Sequence, residues 1–314
     1  MTNTEHLEIL KLVEICKLYY EQELTQAEIA KSMKVSRPVI SKLLSEARRL
    51  GIVRIEIKSP LESNSDLVSQ LKIKFNLKGG LIIPNPPNET ILFRMIISQA
   101  AKYLETQIPF LKKIGLGWSH PVASLVEEMK VNTRETDHQG TICPLMGSAQ
   151  STLKWFQTNE LTRMLAEKIG YVPFYVHAPA FPLSSTNRQL FMETKEYLQI
   201  SDIWQDLDMA ILGIETYPSV PDQATAARFG DLLKERKAVG MIATYLYDID
   251  GNLIESNDDI VIRIPFSCLK KAKRVLAIGL REKGVASTLG ALKTGIITHL
   301  ITDEVTAEHI LQAV

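Results

Sequence analysis

The stretch LTQAEIAKSMKVSRPVISKLLSEARRLGIVRIEIK, residues 24–58, decides how the N-terminal part of this chain folds. Thr25 followed by Glu28 has the spacing of a capping box, which starts a helix. Ala27, Ile29, Ala30 and Met33 supply its expected buried face. Lys34, Val35 and Ser36 form a turn. A lysine at its first position carries a modest cost if the backbone there must be left-handed. Ser36 is the expected cap of a second helix, with Pro38 in the first turn, where a missing N–H does least harm. Ile40, Leu43, Leu44, Ala47 and Leu50 then recur as one apolar stripe, and Gly51 ends the helix. Val53, Ile55 and Ile57 alternate with Arg54, Glu56 and Lys58, as in a half-buried strand. The sum is a winged helix-turn-helix, all-α with a short wing strand.

Charge says what that motif meets. Residues 31–58 hold eight Lys/Arg and two Asp/Glu, whereas residues 1–30 hold two Lys/Arg and six Asp/Glu. The positive field is confined to the motif, which is the footprint of a duplex-binding element. The second helix carries Arg37, Ser41, Lys42, Ser45, Arg48 and Arg49 opposite its stripe. Recognition helices read base edges with their N-terminal residues and touch phosphates elsewhere. This places Arg37, Pro38, Ser41 and Lys42 near bases, Thr25 and Gln26 at the DNA backbone, and Arg48, Arg49 and Arg54 on phosphates, with the cap Ser36 also among the DNA-binding residues. The competing reading is a solvated helical hairpin with ordinary surface lysines.

The chain has 314 residues, so about two domains are expected at ~150 residues each. Residues 1–58 form the DNA-binding domain of this reading and 59–314 an effector-binding and oligomerisation domain. Composition is that of an ordinary soluble protein, 45% hydrophobic and 23% charged, with no net charge, so any affinity for DNA rests on the local patch. No apolar run reaches the ~18 residues of a membrane span, and MTNTEHLEILK has no signal-peptide pattern, so a cytoplasmic protein without membrane contact is expected. Cys16, Cys143 and Cys268 are odd in number and flanked by apolar residues, which fits buried thiols in a reducing compartment. No metal or cofactor motif is present, and none is expected.

Residues 5–20 read as a leading helix with Leu10, Val13, Cys16 and Tyr20 on its apolar side. The polar SPLESNSD (59–66) is a hinge candidate, 67–77 looks helical, and IPNPPNE (83–89) is a loop before a long helix near 90–106. Short apolar runs then alternate with helical stretches. The runs are KIGLG (113–117), TICPL (141–145), YVPFYV (171–176), DMAILGI (208–214), RVLAIG (274–279) and THLIT (298–302). The helices lie near 120–130, 159–169, 187–199, 222–236, 284–293 and 304–312. Such alternation predicts an α/β fold with a mostly parallel, doubly wound sheet. An antiparallel excursion is expected in 238–264, with a turn at Asp250-Gly251.

Ligands of open α/β sheets sit outside the carboxyl ends of the strands. That points to loops 115–121, 146–151, 177–187, 213–221 and 279–284. Gly115 and Gly117 in GLGWSHP permit close backbone approach before a helix start, and PLMGSAQST offers Gly147, Ser148, Ser151 and Thr152. Trp118 is a ring-stacking residue or an apolar filler. Arg281 and Lys283 sit where a helix begins, a disfavoured place for cations that a bound phosphate would offset. His120 and His177 fall in ligand-facing loops, with no nucleophile, metal or paired-carboxylate pattern beside them. Asp208 and Asp303 read as capping residues at strand edges.

With these residues in view, the chain resembles the SorC/DeoR-type bacterial transcriptional regulators over nearly all its length. The most specific segments are LTQAEIAKSMKVSRPVISKLLSEARRLGIVRIEI and IPFSCLKKAKRVLAIGLREKGVASTLGALKTGIITHLITDEVTAEHIL. IGLGW, PLMGS, HAPAF, AILGI and VGMIATYLYDIDGN lie between them in order. The resemblance implies a helix-turn-helix joined to an effector domain related to glucosamine-phosphate and ribose-phosphate isomerases. It implies a homo-oligomer, dimer or tetramer, on double-stranded operator DNA, and a phosphorylated sugar or related metabolite as effector. It implies an effector site of Gly115, Gly117, Trp118, Ser119, Gly147, Ser148, Ala149 and Lys283, the last matching the family's pocket lysine. Five departures bear on that site. Ser119 stands for a glycine, Pro121 for a threonine, Ser148 for a glycine, Met241 for a carboxylate and Leu280 for a glycine. Losing a carboxylate buried against a ligand weakens hydroxyl recognition by ~1–3 kcal/mol, so a changed specificity is expected. Two other readings remain at this stage: an isomerase- or transferase-like enzyme, and a DNA-binding oligomer with no ligand.

Overall fold

The computed structural model describes residues 3–53, 65–86, 88–130, 140–149, 151, 153–218, 228–280 and 284–314. They fall into two compact units, Met1–Pro60 and Leu61–Val314.

The first unit holds α1 (Asn3–Tyr20), α2 (Gln26–Ser32) and α3 (Arg37–Arg49). The Thr25 hydroxyl accepts from the Glu28 amide while the Glu28 carboxylate accepts from the Thr25 amide, so the capping box is complete. Lys34 takes φ +53°, the left-handed turn its position required. The core is Leu12, Ile15 and Cys16 of α1, Ile29 and Ala30 of α2, and Ile40, Leu44 and Ala47 of α3. This corrects three expectations. In α1 the buried side turns on Leu12 and Ile15, leaving Leu10 and Tyr20 exposed. Ala27 is exposed, and Leu50, the C-cap of α3, lies half in solvent because the helix ends before its stripe completes. The wing residues 54–58 lie outside the described residues.

The second unit opens with α4 (Ser65–Phe75), β1 (Gly79–Ile83), α5 (Glu89–Gln107), β2 (Lys113–Leu116), α6 (His120–Glu128), β3 (Thr141–Pro144), α7 (Thr158–Ile169) and β4 (Val172–Pro173). There follow α8 (Ser185–Met192), α9 (Lys195–Trp204), β5 (Met209–Thr216), α10 (Leu232–Glu235), β6 (Gly240–Ile242) and β7 (Tyr245–Tyr247). It closes with α11 (Phe266–Lys271), β8 (Arg274–Ile278), α12 (Val285–Lys293), β9 (His299–Asp303) and α13 (Glu304–Gln312). Seven strands form a parallel sheet in the order β1-β9-β8-β5-β2-β3-β4, and β6–β7 adds an antiparallel hairpin on the end of β5.

Alternation along each strand feeds two cores. Ala210, Leu212 and Ile214 of β5 face one, with Trp204 of α9 and Leu289 and Leu292 of α12. Met209 and Ile211 face the other, with Ile96 and Leu104 of α5, Val122 and Leu125 of α6 and Leu161 and Leu165 of α7. Both faces are therefore covered, as near-continuous apolar strands demand. β1, written GGLII, was absent from the sequence reading, because two glycines hide a strand. Gly80 needs its bare backbone, since a Cβ there would lie 2.0 Å from the Leu300 carbonyl oxygen. The helix expected over 187–199 divides in two, with Thr194 capping α9.

Asp303 and Asp208 are the capping residues expected. The Asp303 carboxylate accepts from the Thr306 amide and hydroxyl and from Asn85 Nδ2. That of Asp208 accepts from the amides of Lys112 and Lys113 and from Lys273 Nζ. On the strand-start side, His299 is buried behind Gly79, its Nδ1 2.7 Å from the Thr298 hydroxyl. Burial, then the nearby Arg274, Lys78 and Lys72, push its imidazole down to about 4. A neutral folded-state histidine stabilises the fold fully above the free value of about 6.5. Stability should therefore fall as pH drops from 6.5 towards 4, and His299→Gln should flatten that part of the urea-denaturation profile; an unchanged slope would refute the assignment.

Candidate DNA interface and effector crevice

The DNA-facing candidates come together on one surface of α3. Arg37, Pro38, Ser41, Lys42, Ser45, Arg48 and Arg49 are all exposed there, opposite the buried Ile40, Leu44 and Ala47. Ser36 occupies the N-cap with extended backbone, yet its hydroxyl makes no cap bond, so the side chain at the head of the helix is not committed to it. Thr25 and Gln26 start α2, with Thr25 committed to its capping box. The expected phosphate contacts differ among themselves. Arg48 Nη2 donates to the Ser45 hydroxyl at 3.3 Å, and that hydroxyl donates to the Ser41 carbonyl at 3.0 Å. Arg49 instead forms an ion pair with Glu46 one turn back, which lowers the Glu46 carboxyl. An exposed pair of this kind is weak and can be exchanged for a phosphate. Arg54 lies outside the described residues.

The effector candidates lie at the carboxyl ends of β2 and β3, in different environments. Gly115 sits inside β2 rather than in a loop, paired with Cys143 and Ala210. Its lack of a Cβ makes room for Leu145, whose Cδ2 would be 2.3 Å away. The Gly117 amide donates to the Ile211 carbonyl and the Gly147 amide to that of Ile262, each at 2.9 Å. The Ser148 amide donates to the Ala178 carbonyl at 3.0 Å. These three amides hold loops together by donating to neighbouring carbonyls. Trp118 is 5% exposed, with its ring against Phe156 at 5.4 Å and Phe181 at 6.0 Å, so it serves as core filler. Lys283 and its neighbour Arg281 lie outside the described residues.

Three of the departures have a local explanation. Ser119 is buried and caps α6, its hydroxyl accepting from the Val122 amide at 3.2 Å. Gly213 of β5 makes the room, because a Cβ there would meet the Ser119 Oγ at 2.1 Å. Pro121 follows in the first turn, where proline is well tolerated. Met241 packs with an apolar cluster of Phe229, Leu233, Leu246 and Ile254.

The crevice itself is a cavity of about 430 Å³ lined by Ser148, Ala149, Asn159, Val176, His177, Ala178 and Pro179. It lies within the ordinary size range of small-molecule sites. A bridge between Ser148 and Pro179 forms its wall, and Asn159 fixes Val176 through two bonds of 3.1 Å. Gly147 has to be glycine here, since a Cβ would press within 2.7 Å of the backbone at Ala178, Pro179 and Ala180. His177 is exposed at its rim, the one titratable side chain of that lining. His120 does not join it; its ring stacks on Phe93 at 4.8 Å and meets Trp155 edge-on. Sequence reading missed two lining residues, Asn159 and Val176, because α7 and the stretch after β4 meet only in the fold. Among the described residues no cluster of His, Cys, Asp or Glu could hold a metal, and no helix is long and apolar enough to cross a membrane.

Two family models match this architecture. The sugar-binding domain family matches residues 59–312, and the helix-turn-helix of sigma-70 region 4 matches residues 13–50. Over 99% of this chain and all of the relative, the sequence is 30% identical to the sorbitol operon regulator of Klebsiella pneumoniae. It is 23% identical to the deoxyribonucleoside regulator of Bacillus subtilis, over 94% of this chain and 95% of that one. The crystal structure of the full-length K. pneumoniae regulator SorC superposes with a TM-score of 0.77, covering 96% of this chain and 98% of that one. A probable sor operon regulator from Shigella flexneri, 28% identical, covers 79% of this chain and 99% of its own, with a TM-score of 0.69. The chain belongs to the SorC family of sugar-binding-domain transcriptional regulators. It is a DNA-binding regulator, and these relatives are regulators rather than enzymes.

Two substitutions separate base reading from phosphate contact. Arg37→Ala should cost ~1–3 kcal/mol on the preferred operator and relax preference at one base position. Arg48→Ala should weaken binding evenly across sequences and lower the salt slope by about 1 in gel-shift titrations. Wild-type affinity in both variants would reject this placement of α3.

Proposed function

We propose that the chain is a cytoplasmic regulator whose operator affinity is set by a small phosphorylated sugar or related metabolite bound at the carboxyl edge of the sheet. The observation carrying this reading is the pairing, in one chain, of an exposed cationic helix face with a half-polar cavity beside the Gly147–Ala149 loop. The relatives are named as a sorbitol operon regulator and a deoxyribonucleoside regulator, which supports a polyhydroxylated ligand. Serine, asparagine and histidine in the lining suit hydroxyl groups. Lys283, matched to the family's pocket lysine, is the proposed partner of the phosphate.

The mechanism is binding without turnover. Among the described lining residues only His177 is titratable, and the relatives are regulators, which supports binding without turnover. A ligand changes operator affinity only through different affinities for two states of the protein. A homo-oligomer, dimer or tetramer, follows from the size of the contact. One recognition helix reads few base pairs, and a neutral chain gains its DNA affinity from several helices acting together.

A thermal-shift panel of hexitol, hexose and pentose phosphates tests the assignment. At a hundredfold excess over Kd a true effector adds about 2.7 kcal/mol of stability. Ala149→Phe, which puts a ring into the cavity, should abolish that shift, and Lys283→Ala should weaken the hit roughly tenfold, the loss of one charge-assisted bond. No response to any compound, or a full shift in the Ala149→Phe variant, would overturn the site.

A further inference from the structure

The hairpin turn between β6 and β7 is built from residues that resist its shape. Ile242 pairs with Tyr245, so Ala243 and Thr244 alone make the turn, with φ of +48° and +62°. Two-residue turns of this kind need positive φ at both positions and normally use Asn-Gly. A β-branched residue there is a true conformational outlier. Other non-glycine residues with positive φ, such as Glu23, Lys34, Asn76 and Lys237, stand singly at exposed positions. Ala243 and Thr244 are consecutive and buried, with 6% and 1% exposure. Strain of this sort persists only when surrounding groups over-determine it, and it concentrates at ligand sites.

Arg263 supplies the determination. Its Nη1 donates to the Thr244 carbonyl at 2.8 Å and to the Thr244 hydroxyl at 3.1 Å. Its Nη2 donates to Asp259 at 2.7 Å, and its guanidinium lies 3.6 Å over the Tyr245 ring. The Tyr245 hydroxyl closes the loop by donating to the Ile264 carbonyl at 2.9 Å. The other Asp259 oxygen accepts from Arg228, which lies over Phe181. The backbone of Arg263 meanwhile bridges to Met146, between the bonds from Gly147 to Ile262 and from Ile264 to Leu145. Arg263 thus grips the turn with its side chain, while the main chain of its two neighbours, Ile262 and Ile264, holds the loop leading to Ser148 and Ala149.

We propose that Arg263 is a positioning residue of the effector crevice. Its guanidinium keeps the Ala243–Thr244 turn left-handed, and through that turn it fixes the 145–149 loop that walls the cavity. The relevance to an effector rests on the function proposed above; the clamp itself does not. Hydrogen–deuterium exchange on the full-length, ligand-free chain tests it. Arg263→Met should speed exchange roughly tenfold in the peptides covering 240–247 and 145–149, as local opening becomes easier. Adding Thr244→Gly should bring both peptides back near wild type, because glycine takes positive φ without a clamp. Should Arg263→Met not fold, Arg263→Lys, which keeps the charge at Asp259 and loses the two-pronged hold on Thr244, is read the same way. Wild-type exchange in the single variant overturns the proposal. So does a double variant that stays fast, since Arg263 would then act through Asp259 and not through the turn. A failed ligand panel would leave the exchange result standing, so the two ideas fail separately.

Discussion

β5 is paired along both edges and buried on both faces, and a parallel strand so enclosed constrains everything around it. Its amides and carbonyls are matched by β2 and β8, and its side chains alternate between two separate cores. Parallel neighbours require crossover connections, which lay helices over both faces. Only the strand ends remain for polar chemistry. At the starting ends, Asp208 ties β5 to the beginning of β2. At the carboxyl ends the chain leaves the sheet in loops, and the cavity forms there.

Those loops are built onto a rigid sheet by backbone bonds between them. Gly117, Gly147 and Ser148 spend their amides on neighbouring carbonyls, so these three are satisfied before any ligand arrives. What faces the cavity is then mostly side chain. The segment 260–264 runs alongside 145–148 and 178–180, and the strained hairpin turn is held against it. A pre-organised wall of this type loses little entropy on binding. The DNA-binding unit follows a simpler rule. Among the described residues, eight buried side chains from three helices form its core, and the opposite face of α3 is left to its cations.

Much of this was readable along the chain. The capping box at Thr25 and Glu28, the left-handed Lys34 and the order of runs and helices depend on residues a few positions apart, and local chemistry resolves them. Misreadings arose where distant contacts decide. The buried side of α1 was misplaced because Leu10 and Leu12 are equally apolar, and only packing against α2 and α3 selects between them. β1 was missed because its glycines answer to Leu300 and His299, more than 200 residues away. The Ala243–Thr244 turn was missed because nothing in Ala-Thr signals a hairpin; Asp250-Gly251, which does, makes the wider turn where Tyr247 bridges Leu253.

The sequence by itself determined the two-part plan, the helix-turn-helix with its cationic face, and the alternation that requires a parallel sheet. Caps, turns and periodicities act over three to seven residues, so their physics is written in order along the chain. Tertiary structure alone decided what each glycine and arginine does at that edge. It turned Gly115 and Trp118 into packing, commits the Gly147 amide to Ile262, and brings Asn159 and Val176 into one cavity wall. Those roles depend on which backbone atom or ring lies within a few ångströms across the sheet, and strand order, not sequence distance, sets that.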